Sequence, residues 1–175
     1  MNPDSVGPFS RPFGVGRLPP DGQDVTVVAT ETERAALAAD LGVEAIDALE
    51  GRLRVVAKHG RVRVTGRVVA DLQQTCVVSL EVFGSRLDEE VDVEFTSRID
   101  EIAPPKAGEE AEADLDAPDE LIGDLIDLGA ITAEFLALGL DPHPRKPGVA
   151  FEQATEDGGA EPSPFAALAG LKREG

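Results

Sequence analysis

From Arg52 to Phe95 the chain alternates polar and apolar residues with a period close to two, broken at His59-Gly60 and again around Val77-Val78. A period of two is the mark of a strand with one buried face. The pattern predicts three long strands, Arg52 to Lys58, Arg61 to Gln74 and Leu80 to Phe95. His59-Gly60 fits a two-residue hairpin turn, because such turns need positive φ and Gly supplies it freely. Upstream, Phe9 to Leu18 reads as a short edge strand, a position that tolerates Pro12. Pro19-Pro20-Asp21-Gly22 then reads as a turn, and Asp24 to Thr30 as a β-branched strand. Thr30 with Glu33 three residues later is a capping-box signature for a helix running to about Asp40, with Gly42 as its stop. Ala45, Ile46 and Leu49 suggest a helical turn or an irregular approach to the next strand.

Downstream, Ile99 to Glu120 is acidic and Pro-containing, without periodicity, and reads as a disordered loop. Helical spacing returns over Ile126 to Leu140, with Leu128, Ile131, Phe135 and Leu138 on one stripe. The Pro-rich run Asp141 to Gly148 fits neither helix nor strand. A tether, Glu152 to Ser163, leads to a last apolar cluster, Pro164 to Leu171, which suggests a short docking helix. The expected fold class is α+β: a mostly antiparallel β-sheet packed by two helices, with an acidic loop and a flexible C-terminal tail. The expected units are 1–98, a β-rich core with one helix; 99–120, an acidic linker; 121–148, a packing helix and Pro-rich segment; and 149–175, the tail.

The turn at His59-Gly60 has a chemical consequence. It sets Lys58 opposite Arg61, Val56 opposite Arg63, Arg54 opposite Thr65 and Arg52 opposite Arg67, all on one face. The other face pairs Ala57 with Val62, Val55 with Val64 and Leu53 with Gly66. Between Gly51 and Ala70 the chain holds six cations and no acid. Like charges directly opposite cost up to roughly 1 kcal/mol, so partners are needed. A symmetric turn at Val77-Val78 would set Arg67 against Asp88, Arg63 against Asp92, Arg61 against Glu94 and Val64 against Val91. One reading is thus a solvated sheet face laced with salt bridges. The other is a phosphate-binding patch of Arg52, Arg54, Arg63 and Arg67, since Arg52 and Arg54 lie on the strand away from those acids. No aromatic residue on this face could stack a base.

The whole chain carries a formal net charge of -18 over 175 residues, with a pI near 4.3. Such a field repels polyanions, so contact with nucleic acid would have to be local. More than half of the excess lies in residues 99–127. The chain is 42% hydrophobic with no Trp or Tyr, so its core is aliphatic. A single cysteine, Cys76, excludes an intrachain disulfide and a cysteine-cluster metal site. No signal peptide or membrane span is read, and a cytoplasmic protein is expected.

No phosphate loop, nucleophile elbow or metal-spaced His/Cys set occurs. His59 and His143 read as loop residues. Asp114, Asp116 and Asp119 lack the Gly and terminal Glu of a calcium loop. Cys76 reads as buried, with no adjoining cation to lower its pKa. No catalytic residue, cofactor, metal or small-molecule substrate is expected.

Gln-Thr-Cys-Val-Val-Ser-Leu-Glu (Gln74 to Glu81), followed by the acidic strand Glu89 to Phe95, resembles the YceD family, linked to accumulation of large-subunit (23S) ribosomal RNA in bacteria and plastids. Cys76, Glu81, Asp127, Leu128, Glu134 and Pro164 lie in the matching motifs, which include Ile126-Asp127-Leu128-Gly129 and the closing segment Pro164 to Lys172. Arg11-Pro12 and Asp141 to Gly148 are similar to alphaproteobacterial members. Many members carry Cys-x-x-Cys here, whereas this chain has Gln73 at the first position and no later cysteine, so no metal or redox role carries over. The resemblance implies a non-enzymatic ribosome-biogenesis factor supporting 23S rRNA processing and large-subunit assembly. Its expected partners are ribosomal RNA or assembly intermediates, with no membrane. RNA contact is expected at Arg52, Arg54, Lys58, Arg61, Arg63 and Arg67, and secondarily at Arg145, Lys146, Lys172 and Arg173. An alternative is an acidic adaptor that holds a basic partner such as a ribosomal protein.

Overall fold

The computed structural model describes residues 7–97 and 118–150. Most of the expected acidic loop, the tether, and the closing segment with Pro164, Lys172 and Arg173 lie outside the described residues. Within them the fold is α+β. An antiparallel meander of β2 (Gln23–Val28), β3 (Ala45–Lys58), β4 (Arg61–Thr75) and β5 (Val82–Thr96) is extended by the two-residue β6 (Asp119–Glu120). β6 pairs parallel with Phe95 and Thr96. Its two residues close the stretch read from sequence as a loop. A separate antiparallel pair joins β1 (Pro12–Gly14) to β7 (Leu125–Asp127), so the edge strand expected over Phe9 to Leu18 is only three residues long.

The helix α1 (Glu31–Leu41) starts on the expected capping box: the Thr30 hydroxyl accepts from the Glu33 amide, and the Glu33 carboxylate accepts from the Thr30 amide at 2.8 Å. It ends on Gly42 in the left-handed region. Strand β3 begins at Ala45, seven residues before the expected start. The helical turn expected at Ala45, Ile46 and Leu49 is strand instead, and its irregularity is a bulge at Asp47 between Ile46 and Ala48. The bulge restores the inward aim of Leu49 after the extra residue.

His59 and Gly60 both have positive φ and form the hairpin turn, so Lys58 faces Arg61 and every expected β3–β4 pair follows. Val62 is buried and Arg61 faces solvent. The β4–β5 register differs from expectation by two residues: Arg63 faces Glu94, Arg67 faces Glu90 and Val64 faces Val93. The connecting loop spans Cys76–Glu81, wider than a turn centred on Val77-Val78. A two-residue slip keeps every side chain on its own face, so the valines still point inward.

The core lies beneath the inner sheet face, where Val55, Val64, Val68, Ala70 and Val91 are fully covered. Helix α2 (Leu128–Leu138) packs on β3, β4 and β5. Its buried stripe is Leu128, Ile131, Thr132 and Leu136, while Leu138 is 72% exposed. The helix starts two residues later than the pattern suggested, because Ile126 and Asp127 belong to β7. The sheet takes Leu136 as the inward position, so Leu138, the last helical residue, points outward.

Candidate functional site

The outer face of the β3–β4–β5 ribbon carries the predicted cations, and carboxylates hold nearly all of them. Arg61 reaches Glu94 at 2.6 Å, Arg63 grips Asp92 with Nε at 2.7 Å and Nη2 at 2.5 Å, and Arg67 meets Asp88 at 2.7 Å. These partners are the ones expected from sequence, yet none of them lies directly opposite. Each arginine reaches diagonally across the shifted register, a distance long side chains cover. The Arg63 hydrogen bonds hold the Asp92 carboxyl below its ordinary range, and the same pairing raises the Arg63 guanidinium.

Arg52 and Arg54 are not apart from the acids, which corrects the reason for singling them out. Arg54 donates to Asp24 at 2.8 Å and to the Asp21 carbonyl at 2.5 Å. Arg52 donates to Glu50 at 2.7 Å and 3.3 Å. Glu50 was hidden because β3 was expected to begin at Arg52; two residues earlier on a strand is the same face. Asp24 became visible only through the β2–β3 register, in which it faces Arg54 directly. At the tip, Lys58 is exposed and carries no ion pair among the described residues.

A second cluster forms where the Pro-rich segment meets the β4–β5 loop. The Val77 amide donates to the Pro144 carbonyl at 2.9 Å, and Lys146 pairs with Glu81 at 2.9 Å. The sequence placed these residues 65 positions apart, and only the fold joins them. Arg145 lines a cleft of about 530 Å³ between β5 and residues 139–147. Cys76 is buried, as expected, and its sulfur accepts the amides of Val78 and Ser79 at 3.4 Å each. The Ser79 hydroxyl and amide, then the Lys146 amide, bring its thiol down to about 6. Sequence reasoning looked for an adjoining cation and missed these donors, because hydrogen bonds from Ser79 and from the Lys146 amide form only once the loop and the distant Pro-rich segment close around the sulfur. These amides curl Cys76–Glu81 into the wide loop that resets the β4–β5 register.

Of the remaining motif residues, Asp127 and Leu128 serve the fold. Asp127 caps α2, accepting from Gly129 at 2.9 Å and Ala130 at 3.0 Å, and also takes the Arg11 amide at 2.7 Å. Burial pushes its carboxyl up, but donors from Ser10, Arg11, Ala130 and Gly129 outweigh that and leave it lowered. A Cβ on Gly129 would come within 2.8 Å of the Arg11 amide nitrogen and 2.9 Å of the Phe9 carbonyl oxygen. The Asp-Leu-Gly motif therefore docks residues 9–11 against the helix start. Leu128 is core, and Glu134 is exposed.

Among the described residues no helix is long and apolar enough to cross a membrane. No curated protein and no solved structure matches the chain. Residues 64–172 match the family described as large ribosomal RNA subunit accumulation protein YceD. That span takes in β4 from Val64 onward, β5, the Cys76 loop and the Asp127-capped helix, and by it the chain belongs to the YceD family.

Proposed function

We propose that the chain is a non-enzymatic, cytoplasmic factor in large-subunit biogenesis that supports processing and accumulation of 23S rRNA. Membership of the family ties it to the large-subunit RNA, and this single observation carries the reading. Direct RNA contact falls to the outer face of the ribbon. There a phosphate must exchange with a carboxylate already bound to Arg52, Arg54, Arg61, Arg63 or Arg67. Exposed pairs of this kind contribute only ~0–1 kcal/mol each, so the exchange is cheap at each contact. Lys58 needs no exchange. Phosphate contacts position RNA without reading its sequence, and the net charge of -18 confines them to this patch.

The test is a shift assay with 23S fragments, titrated with salt. Arg52→Gln with Arg54→Gln should weaken retention while stability stays within ~2 kcal/mol of the parent, two exposed pairs at ~0–1 kcal/mol each. Retention unchanged at every salt concentration would reject contact through the ribbon.

One observation favours a second reading, an acidic carrier of a basic protein. The ribbon's own carboxylates neutralise its arginines, so the surplus of acid elsewhere dominates the field. Deleting residues 99–117, which leaves β5 and β6 intact, should weaken capture of a basic partner under this reading and spare RNA retention under the first.

A further inference from the structure

Strand β5 runs for 15 residues, and β4 takes one side of it throughout. On the other side β6 pairs only with Phe95 and Thr96. Among the described residues nothing pairs with the outer edge over 82–94. An open edge is a row of unpaired amides and carbonyls ready to take another strand. Its chemistry then selects the occupant. On the outer face the edge shows Asp88, Glu90, Asp92 and Glu94; Arg67, Arg63 and Arg61 already hold Asp88, Asp92 and Glu94, while Glu90 carries no ion pair among the described residues, and Glu89 faces inward beside Gly139. A second copy of this strand would set these acids beside their own kind, which is unfavourable. On the inner face Phe83 and Leu87 line the cleft of about 530 Å³, closed opposite by Leu140, Pro144 and Pro147.

We infer that the open edge of β5 accepts an extended segment of a basic protein, alternating apolar residues over the cleft with Lys or Arg beside the carboxylates. Strand addition supplies the backbone hydrogen bonds, and the two faces supply the choice of side chains. The inference rests on the carrier reading and gives it a place on the molecule.

The test uses the full chain with two synthetic peptides of equal length and charge, one alternating lysine with valine and one alternating lysine with glycine. Amide exchange should slow on the outward residues between Val82 and Glu94 when the lysine–valine peptide is added. That peptide should bind about tenfold tighter than its glycine counterpart. Glu89→Pro and Glu90→Pro then separate edge from charge. Both remove one acid, but successive strand amides point to opposite sides, so only one of them breaks the β4 ladder. The variant that keeps the parental melting temperature should lose about tenfold in affinity for the lysine–valine peptide. Full affinity in that variant would overturn the inference, as would outward amides already protected in the free chain. Equal binding of both peptides would sink the edge and leave the carrier reading standing. Binding of neither would sink both. If neither proline variant folds, exchange on the parent chain still decides.

Discussion

At the scale of single residues, the chain fixes its N-terminal segment with two small devices. One is the pair Asp127 and Gly129: the carboxylate takes three amides, and the missing Cβ lets residues 9–11 lie against the helix. Gly129→Ala must push backbone aside, since a flexible side chain is not what stands in the way. A loss of about 1–3 kcal/mol in urea unfolding is expected. The other device is Glu33, which completes the capping box and also forks onto Arg11 at 2.7 and 2.9 Å. The Arg11 hydrogen bond, followed by the Thr30 amide, holds its carboxyl at about 2 against an ordinary 4.5. A lowered carboxylate stabilises fully above its unfolded pKa and loses that contribution as pH falls through the folded one. Glu33→Gln should therefore be less stable than the parent near neutral pH. The gap should close between pH 4.5 and about 2 in melting curves.

At the scale of elements, the ribbon is a frame of alternating valines with a charge lattice laid over it. Its stability comes from the buried face, so Arg63→Gln should cost no more than ~1 kcal/mol by chemical denaturation, and less in high salt. Alternation along the chain made the strands, their inward faces and the hairpin turn at His59-Gly60 legible from sequence. The arginine–carboxylate partners were legible too, although for a register two residues away. What misled was the loop: its width depends on amides curling around a buried sulfur, and no periodicity encodes that. The same limit hid the early start of β3, where a bulge at Asp47 breaks the alternation that would have announced it. For α2 the apolar positions gave the helix but not its rotation, because Leu136 and Leu138 fit a stripe equally well until the sheet chooses between them.

At the scale of the whole molecule, an acidic protein holds a cationic ribbon in check with its own carboxylates and, among the described residues, leaves one long sheet edge unpaired. The family was legible from the Cys76 loop and the Asp-Leu-Gly helix start, both of which proved to be structural joints. The site was less legible, because Asp24, Glu50 and Lys146 reach their partners only after the sheet is assembled. Under the proposed function, the effect at this scale falls on the ribosomal RNA pool. The most direct measurement is the ratio of 23S to 16S rRNA in cells lacking the chain, before and after the chain is resupplied. The ratio should fall on loss and recover with the parent chain; an unchanged ratio would contradict a role in large-subunit RNA accumulation.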